Sequence, residues 1–208
     1  MADLPVALEP TLGDALLRAL DVEGKIPRAL EALGPIAARD VVLVGGGPLE
    51  TRRLTDAGAR LSAVDAFQPD DRASWPLPDG GADVVVAQWS GFRGIRSAEL
   101  VETERVLRPG GRLLIVHDYG RDDVSRLRGD LPEYSAWSRR SGPFLSAGFR
   151  IRVIHCFWTF ESVEAARTFL AGAFGSTGEE IAASLSRPRL TYNVAIYHRT
   201  RGETAPSA

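Results

Sequence analysis

Three stretches of this chain are apolar without interruption: "VVLV" at Val41–Val44, "VVVA" at Val84–Ala87 and "LLIV" at Leu113–Val116. A strand points successive side chains to opposite faces, so a strand with one wet face alternates apolar and polar residues. An uninterrupted run predicts a strand covered on both faces, as in a parallel sheet between helices. The intervening segments supply the helices. Pro48 to Ala57 starts with a proline tolerated in a first turn, and Gly58 stands where a glycine cap belongs. Ser97 caps a helix through Leu107, with Glu99 in its first turn. This alternation predicts an α/β fold, its sheet mainly parallel with right-handed crossovers.

The remaining segments complete the pattern. Thr11 to Ala19, capped by Thr11, and Ile26 to Leu33, ended by Gly34-Pro35, read as short amphipathic helices. "ARLSAVD" is a strand ending at Asp65, and "AFQPDDRASWPLPDGG" is a proline-rich loop. "RPGG" at Arg108–Gly111 is a turn in which Gly110 supplies a positive φ. In "FRIRVIHCFWTF", Phe149, Ile151 and Val153 share one face and Arg150 and Arg152 the other, and His155 and Cys156 read as core. Ser162 caps a helix to about Ala173, "STGE" at Ser176–Glu179 opens a last helix, and "LTYNVAIYH" is the final strand. Residues 1–200 are expected to form one domain, with the helices of 1–39 packed on it, and 201–208 a disordered tail.

Composition excludes several classes of function. With 208 residues, 44% hydrophobic, the chain can bury a substantial core. A net charge of −2 gives no electrostatic reason to expect nucleic acid or a membrane surface as partner. Cys156 is the single cysteine, which rules out an internal disulfide and a thiolate zinc site, and three histidines give a metal little support. The N-terminus lacks the pattern of a signal peptide, and no apolar run approaches the ~20 residues of a membrane helix. A cytoplasmic protein is expected.

Three groups of residues carry candidate chemistry. Gly45, Gly46 and Gly47 join the first buried strand to a helix, where backbone can approach a ligand and helix amides can meet polar atoms. A tight turn with no ligand explains the same glycines. Asp65 follows Gly45 by 20 residues, at a strand end where a carboxylate can accept from both hydroxyls of a ribose. "HDYGRDD", His117 to Asp123, follows the third apolar run. His117 could take a proton and Tyr119 orient a substrate, or His117 could be a satisfied strand-end residue. Trp75, Trp89, Phe92, Trp137, Trp158 and Tyr192 lie near strand ends and loops. They could enclose an acceptor, although each is more often core packing.

Two longer stretches, "WPLPDGGADVVVA" at Trp75–Ala87 and "RVLRPGGRLLIV" at Arg105–Val116, resemble the class I S-adenosylmethionine-dependent methyltransferases, over about Asp40 to His117. The resemblance implies a Rossmann-like methyltransferase sandwich with an antiparallel strand near the C-terminus. It also implies S-adenosylmethionine as cofactor and methyl transfer to a small-molecule acceptor. It sets Gly45, Gly46 and Gly47 against the methionine part of the cofactor, Asp65 on the ribose and Asp71 on the adenine amino group. Gln88 and Trp89 fall beside the sulfonium and the acceptor, with His117 and Tyr119 on the acceptor side.

The chain departs from that family at three places. Leu43 stands where the family has an acid for the methionine ammonium, and Leu49 where it has a third glycine. Only five residues separate Asp65 from Asp71, too few for the usual third strand, which leaves strand two as an edge that could pair across a homodimer. These departures keep as the alternative a non-catalytic methyltransferase-like binding or interaction module that has lost cofactor affinity. A nicotinamide-dependent oxidoreductase shares the turn and Asp65 but not the two longer matches.

Overall fold

The computed structural model describes residues 4–67, 74–89, 91–129 and 131–202. Asp71 and the segment from 203 onward lie outside them. In chain order the elements are α1 (Pro10–Ala19), α2 (Lys25–Leu33), β1 (Asp40–Val44), α3 (Pro48–Asp56), β2 (Arg60–Val64), β3 (Ala82–Gln88) and α4 (Ser97–Val106). They continue with β4 (Leu107–Asp118), α5 (Asp123–Arg128), a 3-10 turn at Pro132–Tyr134, α6 (Pro143–Ser146), β5 (Arg150–Thr159), α7 (Val163–Ser184) and β6 (Arg189–Thr200). The six strands form one sheet in the order β2-β1-β3-β4-β6-β5. The first four pair in parallel, and β6 runs antiparallel to both β4 and β5. This is the Rossmann-like methyltransferase arrangement with β2 at the edge, where the usual third strand would follow.

The uninterrupted apolar runs have the expected cause. Val41, Leu43, Val84, Val86, Leu114 and Val116 enter a core shared with α1, α2, α3, α5 and α7. Their neighbours Val42, Val44, Val85, Ala87, Leu113 and Ile115 enter a second core with Val106 of α4, Phe144 of α6 and Trp137. Each fully buried aliphatic or aromatic side chain contributes roughly 1.5–3 kcal/mol. No strand of the central four can therefore slip by one residue without exchanging its two cores.

The link from β2 to β3 contains no helix among its described residues. Trp75 is buried in the second core, with Phe67 and Leu77 packed against it. α4 fastens this link. Glu102 Oε1 accepts from the Trp75 amide at 2.6 Å and from Arg105 Nη2 at 2.6 Å. Arg105 also donates to the carbonyls of Leu77 (2.8 Å) and Trp75 (3.1 Å).

Several local expectations are corrected. α1 starts at Pro10, ahead of Thr11, with Glu9 at the N-cap position, and Arg96 stands at that of α4, one residue before Ser97; neither side chain makes a capping bond. "RPGG" is a bulge within β4. Leu107 pairs with Ala82 and Arg112 with Val84, so four residues lie opposite Asp83, and Gly110 has φ 77. Arg108 bonds to Asp83 and Asp40 there, closing the amino ends of the sheet. β5 changes its covered face midway. Phe149 and Ile151 pack in the second core, whereas Ile154, Cys156 and Trp158 pack in the first. His155 is consequently exposed, its Nδ1 at 2.7 Å from Asn193 Oδ1, while Cys156 is buried as expected. Ser162 caps α7 as expected, and Gly175 (φ 54, ψ −134) breaks that helix just before "STGE".

Among the described residues, no helix is long and apolar enough to cross a membrane, and no group of three or more His, Cys, Asp or Glu could hold a metal.

The clasp on the β2–β3 link carries a pH signature. The Arg105 hydrogen bond holds the Glu102 carboxyl below its ordinary value of 4.5. Its contribution is present above that value and is lost as pH falls through the lowered folded value. Arg105→Met is expected to destabilise the fold by about 1.5–3 kcal/mol at neutral pH and to shrink the loss of stability below pH 4.5. Urea unfolding of both proteins across the acid range reads this out; parallel curves with no offset would contradict it.

Candidate functional site

In an open parallel sheet, a crevice opens at the carboxyl ends of the strands where neighbouring connections leave in opposite directions. Here β1 connects outward to β2, and the next connection returns across to β3. The glycine turn lies at that point. Gly45 has φ 63, and its amide donates to the Val64 carbonyl at 2.7 Å, tying the turn to β2. Gly47 is the N-cap of α3, and Pro48 opens the helix, where no partner for an amide is needed.

Gly46 is explained by Leu43. A Cβ at Gly46 would fall 2.2 Å from Leu43 Cδ2, an impossible contact. The Leu43 side chain is fully buried and fills the space beneath the turn. The position assigned to an acid by resemblance thus holds a hydrocarbon pressed against the turn. The glycine is required by packing whether or not a ligand is present.

Beside the turn is an open cleft of about 500 Å³ lined by Gly46, Asp65, Phe67, Ser74, Trp75 and Pro76 among others. Asp65 is exposed at the end of β2. Its carbonyl is held by Trp75 Nε1 at 3.2 Å, and the Trp75 ring stacks on Phe67 with centroids 4.8 Å apart and planes 10° apart. A backbone turn, an exposed carboxylate and a stacked aromatic pair can meet a ribose diol and a flat base. Leu43 offers nothing to an ammonium. The cleft therefore fits the nucleoside end of S-adenosylmethionine better than its amino-acid end.

The other sequence-predicted residues gather at the ends of β3 and β4, and three of them are buried. Gln88 and His117 are each 1% exposed and Trp89 7%. Trp89 (φ 52) and Phe92 (φ 55) hold left-handed backbone, which costs a bulky residue on the order of 1–3 kcal/mol. Their surroundings hold them there. The Trp89 amide donates to the Val116 carbonyl, and its indole donates to Tyr192 Oη at 3.1 Å. Tyr192 in turn donates to Asp118, which pairs with Arg128. Burial raises the Asp118 carboxyl, against the pull of Arg128 and the Tyr192 hydroxyl.

His117 faces the second core. Its ring meets Trp137 edge-on with centroids 4.8 Å apart, and Nε2 lies 3.2 Å from the Phe92 carbonyl, which makes Nε2 the donor. Burial, with Arg93 nearby, lowers its pKa to about 3, so the ring is neutral at physiological pH. Tyr119 is half-buried, its amide bonded to the Asn193 carbonyl and its ring beneath Arg121 at 5.8 Å.

The structure thus brings Gly46 and Asp65 together in an open cleft and Gln88, Trp89 and His117 together in a closed end. Of the remaining aromatic candidates, Trp75 lines the cleft, Trp158 and Tyr192 lie in the first core, and Phe92 and Trp137 in the second. Phe67, Arg96, Glu102 and Arg105 were not evident in the sequence. The available signal was the spacing of Glu99, Glu102 and Val106, three or four residues apart on one helix face, all of them buried.

No family model matches the chain, and no curated protein sequence matches it. Solved structures do. A SAM-dependent methyltransferase from Aquifex aeolicus superposes with a TM-score of 0.50 at 17% identity, covering 92% of this chain and 98% of that one. A protein described as a methyltransferase from an antibiotic biosynthesis pathway of Anabaena variabilis gives 0.50 at 13% identity, covering 87% and 98%. The chain has the fold of class I methyltransferases.

Two outcomes follow from this packing. Gly46→Ala should destabilise by about 1–3 kcal/mol through overpacking, and Leu43→Ala in the same chain should make the added methyl less costly. A double-mutant cycle by urea unfolding with additive effects would refute the contact. For His117, the unfolded ring binds protons below its ordinary 6.5 while the folded one does so only near 3, so stability falls as pH drops between those values. In His117→Phe that decline should flatten, and in the wild type the His117 imidazole NMR signal should stay neutral at pH 5. A titration midpoint near 6.5 would refute the assignment.

Proposed function

We propose that this protein binds S-adenosylmethionine through the cleft beside the glycine turn and transfers its methyl group to a small-molecule acceptor. The observation that carries the reading is Asp65, exposed at the carboxyl end of β2 in one cleft with Gly46, Phe67 and Trp75. In that reading Asp65 accepts from the ribose hydroxyls, Gly45–Gly47 lie along the amino-acid part, and the Phe67–Trp75 pair borders the base. Asp71, which the resemblance sets on the adenine, lies outside the described residues. When bound, the cofactor supplies a methyl on a cationic sulfur, which leaves as a neutral thioether when a nucleophile's lone pair takes the carbon. Such a displacement can proceed by positioning alone. Gln88 and Trp89 border the transfer point, Tyr119 orients the acceptor, and the buried neutral His117 shapes that end through Phe92 and Trp137 rather than acting as a base.

The second reading, a binding module without catalysis, is favoured by two observations. Leu43 fills the acid position, and Gln88, Trp89 and His117 are closed off from solvent. A second copy, if one pairs, would add at the outer edge of β2, whose only strand partner among the described residues is β1.

Calorimetry separates these readings. S-adenosylhomocysteine should bind, and Asp65→Ala should weaken it by about 1.5–3 kcal/mol, the range for hydrogen bonds to a charged group. With a leucine at position 43, methylthioadenosine, which lacks the amino-acid group, should bind within roughly tenfold of S-adenosylhomocysteine, a difference of about 1.4 kcal/mol or less. A folded protein that binds none of these nucleosides at millimolar concentration is not a methyltransferase. That result would favour the module that has lost the cofactor, and binding would count against it.

A further inference from the structure

Glu133 is a carboxylate at 1% exposure, and nothing in the reading above uses it. One oxygen pairs with Arg93; the other, Oε2, is buried with no hydrogen-bond partner among the described residues. A buried charge is stable only when paired and fully hydrogen-bonded, so a half-satisfied one marks a place where a donor is missing. Arg93, the partner of Glu133, is itself half in solvent: its side chain is 50% exposed, on a loop whose Gly94 has φ 76 and open space around it. Its guanidinium lies 5.7 Å from the Trp137 ring centroid, and its Nη1 is 3.5 Å from the Trp89 carbonyl.

A buried carboxylate, an indole face and a carbonyl oxygen converging on one cation are the means by which proteins hold organic ammonium groups. The seat also adjoins the cleft through a shared wall. Phe92 donates its amide to Glu99 Oε1 at 3.4 Å, and Arg96 donates to that same oxygen at 3.0 Å and to the Phe67 carbonyl at 2.8 Å. Phe67 lines the cleft, and the Phe92 carbonyl meets His117, which stands against Trp137.

We infer that Glu133, Trp137 and the Trp89 carbonyl form a seat for an organic ammonium group, that Arg93 occupies this seat in the resting protein, and that the methyl acceptor is a molecule carrying such a cation. The last clause rests on the methyl-transfer reading; the seat does not. A compact ammonium has three donors, as many as the two Glu133 oxygens and the Trp89 carbonyl require, whereas Arg93 leaves Oε2 unbonded. Arg93 is half in solvent, and an incoming ammonium replaces the charge that its departure withdraws from Glu133. The seat concerns recognition of the acceptor and assigns no atom to be methylated.

The test uses 2-phenylethylammonium and its neutral isostere 2-phenylethanol, titrated into the full chain and followed by the indole NMR signals and by calorimetry. The ammonium should bind at least tenfold more tightly than the alcohol. Arg93→Ala should tighten the ammonium about tenfold by vacating the seat, and Glu133→Gln should abolish the preference. Where Arg93→Ala folds poorly, Arg93→Met keeps the stem over Trp137 and should show the same gain. Equal binding of the two probes, a preference that survives Glu133→Gln, or no gain in either Arg93 variant overturns the seat. S-adenosylhomocysteine titrated into the same samples separates the two ideas. If it binds and the ammonium does not, the seat alone falls. If the ammonium binds and S-adenosylhomocysteine does not, the seat stands and the acceptor role falls with the methyl-transfer reading.

Discussion

Two-sided burial of β1, β3 and β4 is the constraint on which the rest of this molecule depends. Their consecutive side chains feed opposite cores, and their backbones are paired along both edges. Polar chemistry has no place along such strands, because any polar side chain there would need a buried partner. It is displaced to the ends. At the amino ends, Asp40, Arg60, Asp83 and Arg108 close the sheet with ion pairs that draw the Asp40 carboxyl down to about 2, first through Arg60 and then through Arg108. At the carboxyl ends, the chain leaves through the glycine turn and through Trp89, both in left-handed backbone. The candidate site occupies the ends that are not neutralised in this way.

The fold was largely legible because two-sided burial leaves an unmistakable trace in the sequence, an apolar run without alternation. That no strand lies beyond β2 among the described residues agrees with the spacing the resemblance implied, since five residues between Asp65 and Asp71 cannot make a crossover. Where reading failed, the cause was context. An alternation rule applied to β5 in one phase puts His155 inside, but the cover shifts after Val153 from the α6 side to the α2 and α7 side, and the buried parity shifts with it. The site divides in the same way. Asp65 and the glycines are local signals with a fixed spacing. The burial of His117 comes from Trp137, which arrives twenty residues later from a segment with no periodicity. Glu99 looks like an ordinary first-turn complement to the helix dipole, and Glu102 like a solvated helix acid, until the β2–β3 link is seen resting on α4.

Leu43 and Gly46 show how one residue pair can hold two meanings. A glycine at a strand–helix turn is usually read as making room for a ligand, yet this one makes room for a leucine. The turn conformation is thereby set by hydrocarbon contact, independent of any cofactor. What distinguishes a binding turn from a structural one is then the neighbouring wall, here Asp65, Phe67 and Trp75.

That wall hangs from a helix rather than from a strand. Glu102 and Arg105 carry Trp75, while Arg96 carries Phe67 and, through Glu99, the Phe92 amide. The face that α4 buries is Glu99, Glu102, Thr103 and Val106, so most of what it offers the wall is polar. Phe67 and Phe92 thus hang from one end of α4, through Arg96 and Glu99, and Trp75 from the other, through Glu102 and Arg105. One ten-residue helix thereby joins both rings of the cleft wall to the closed end behind Phe92, with no strand between them.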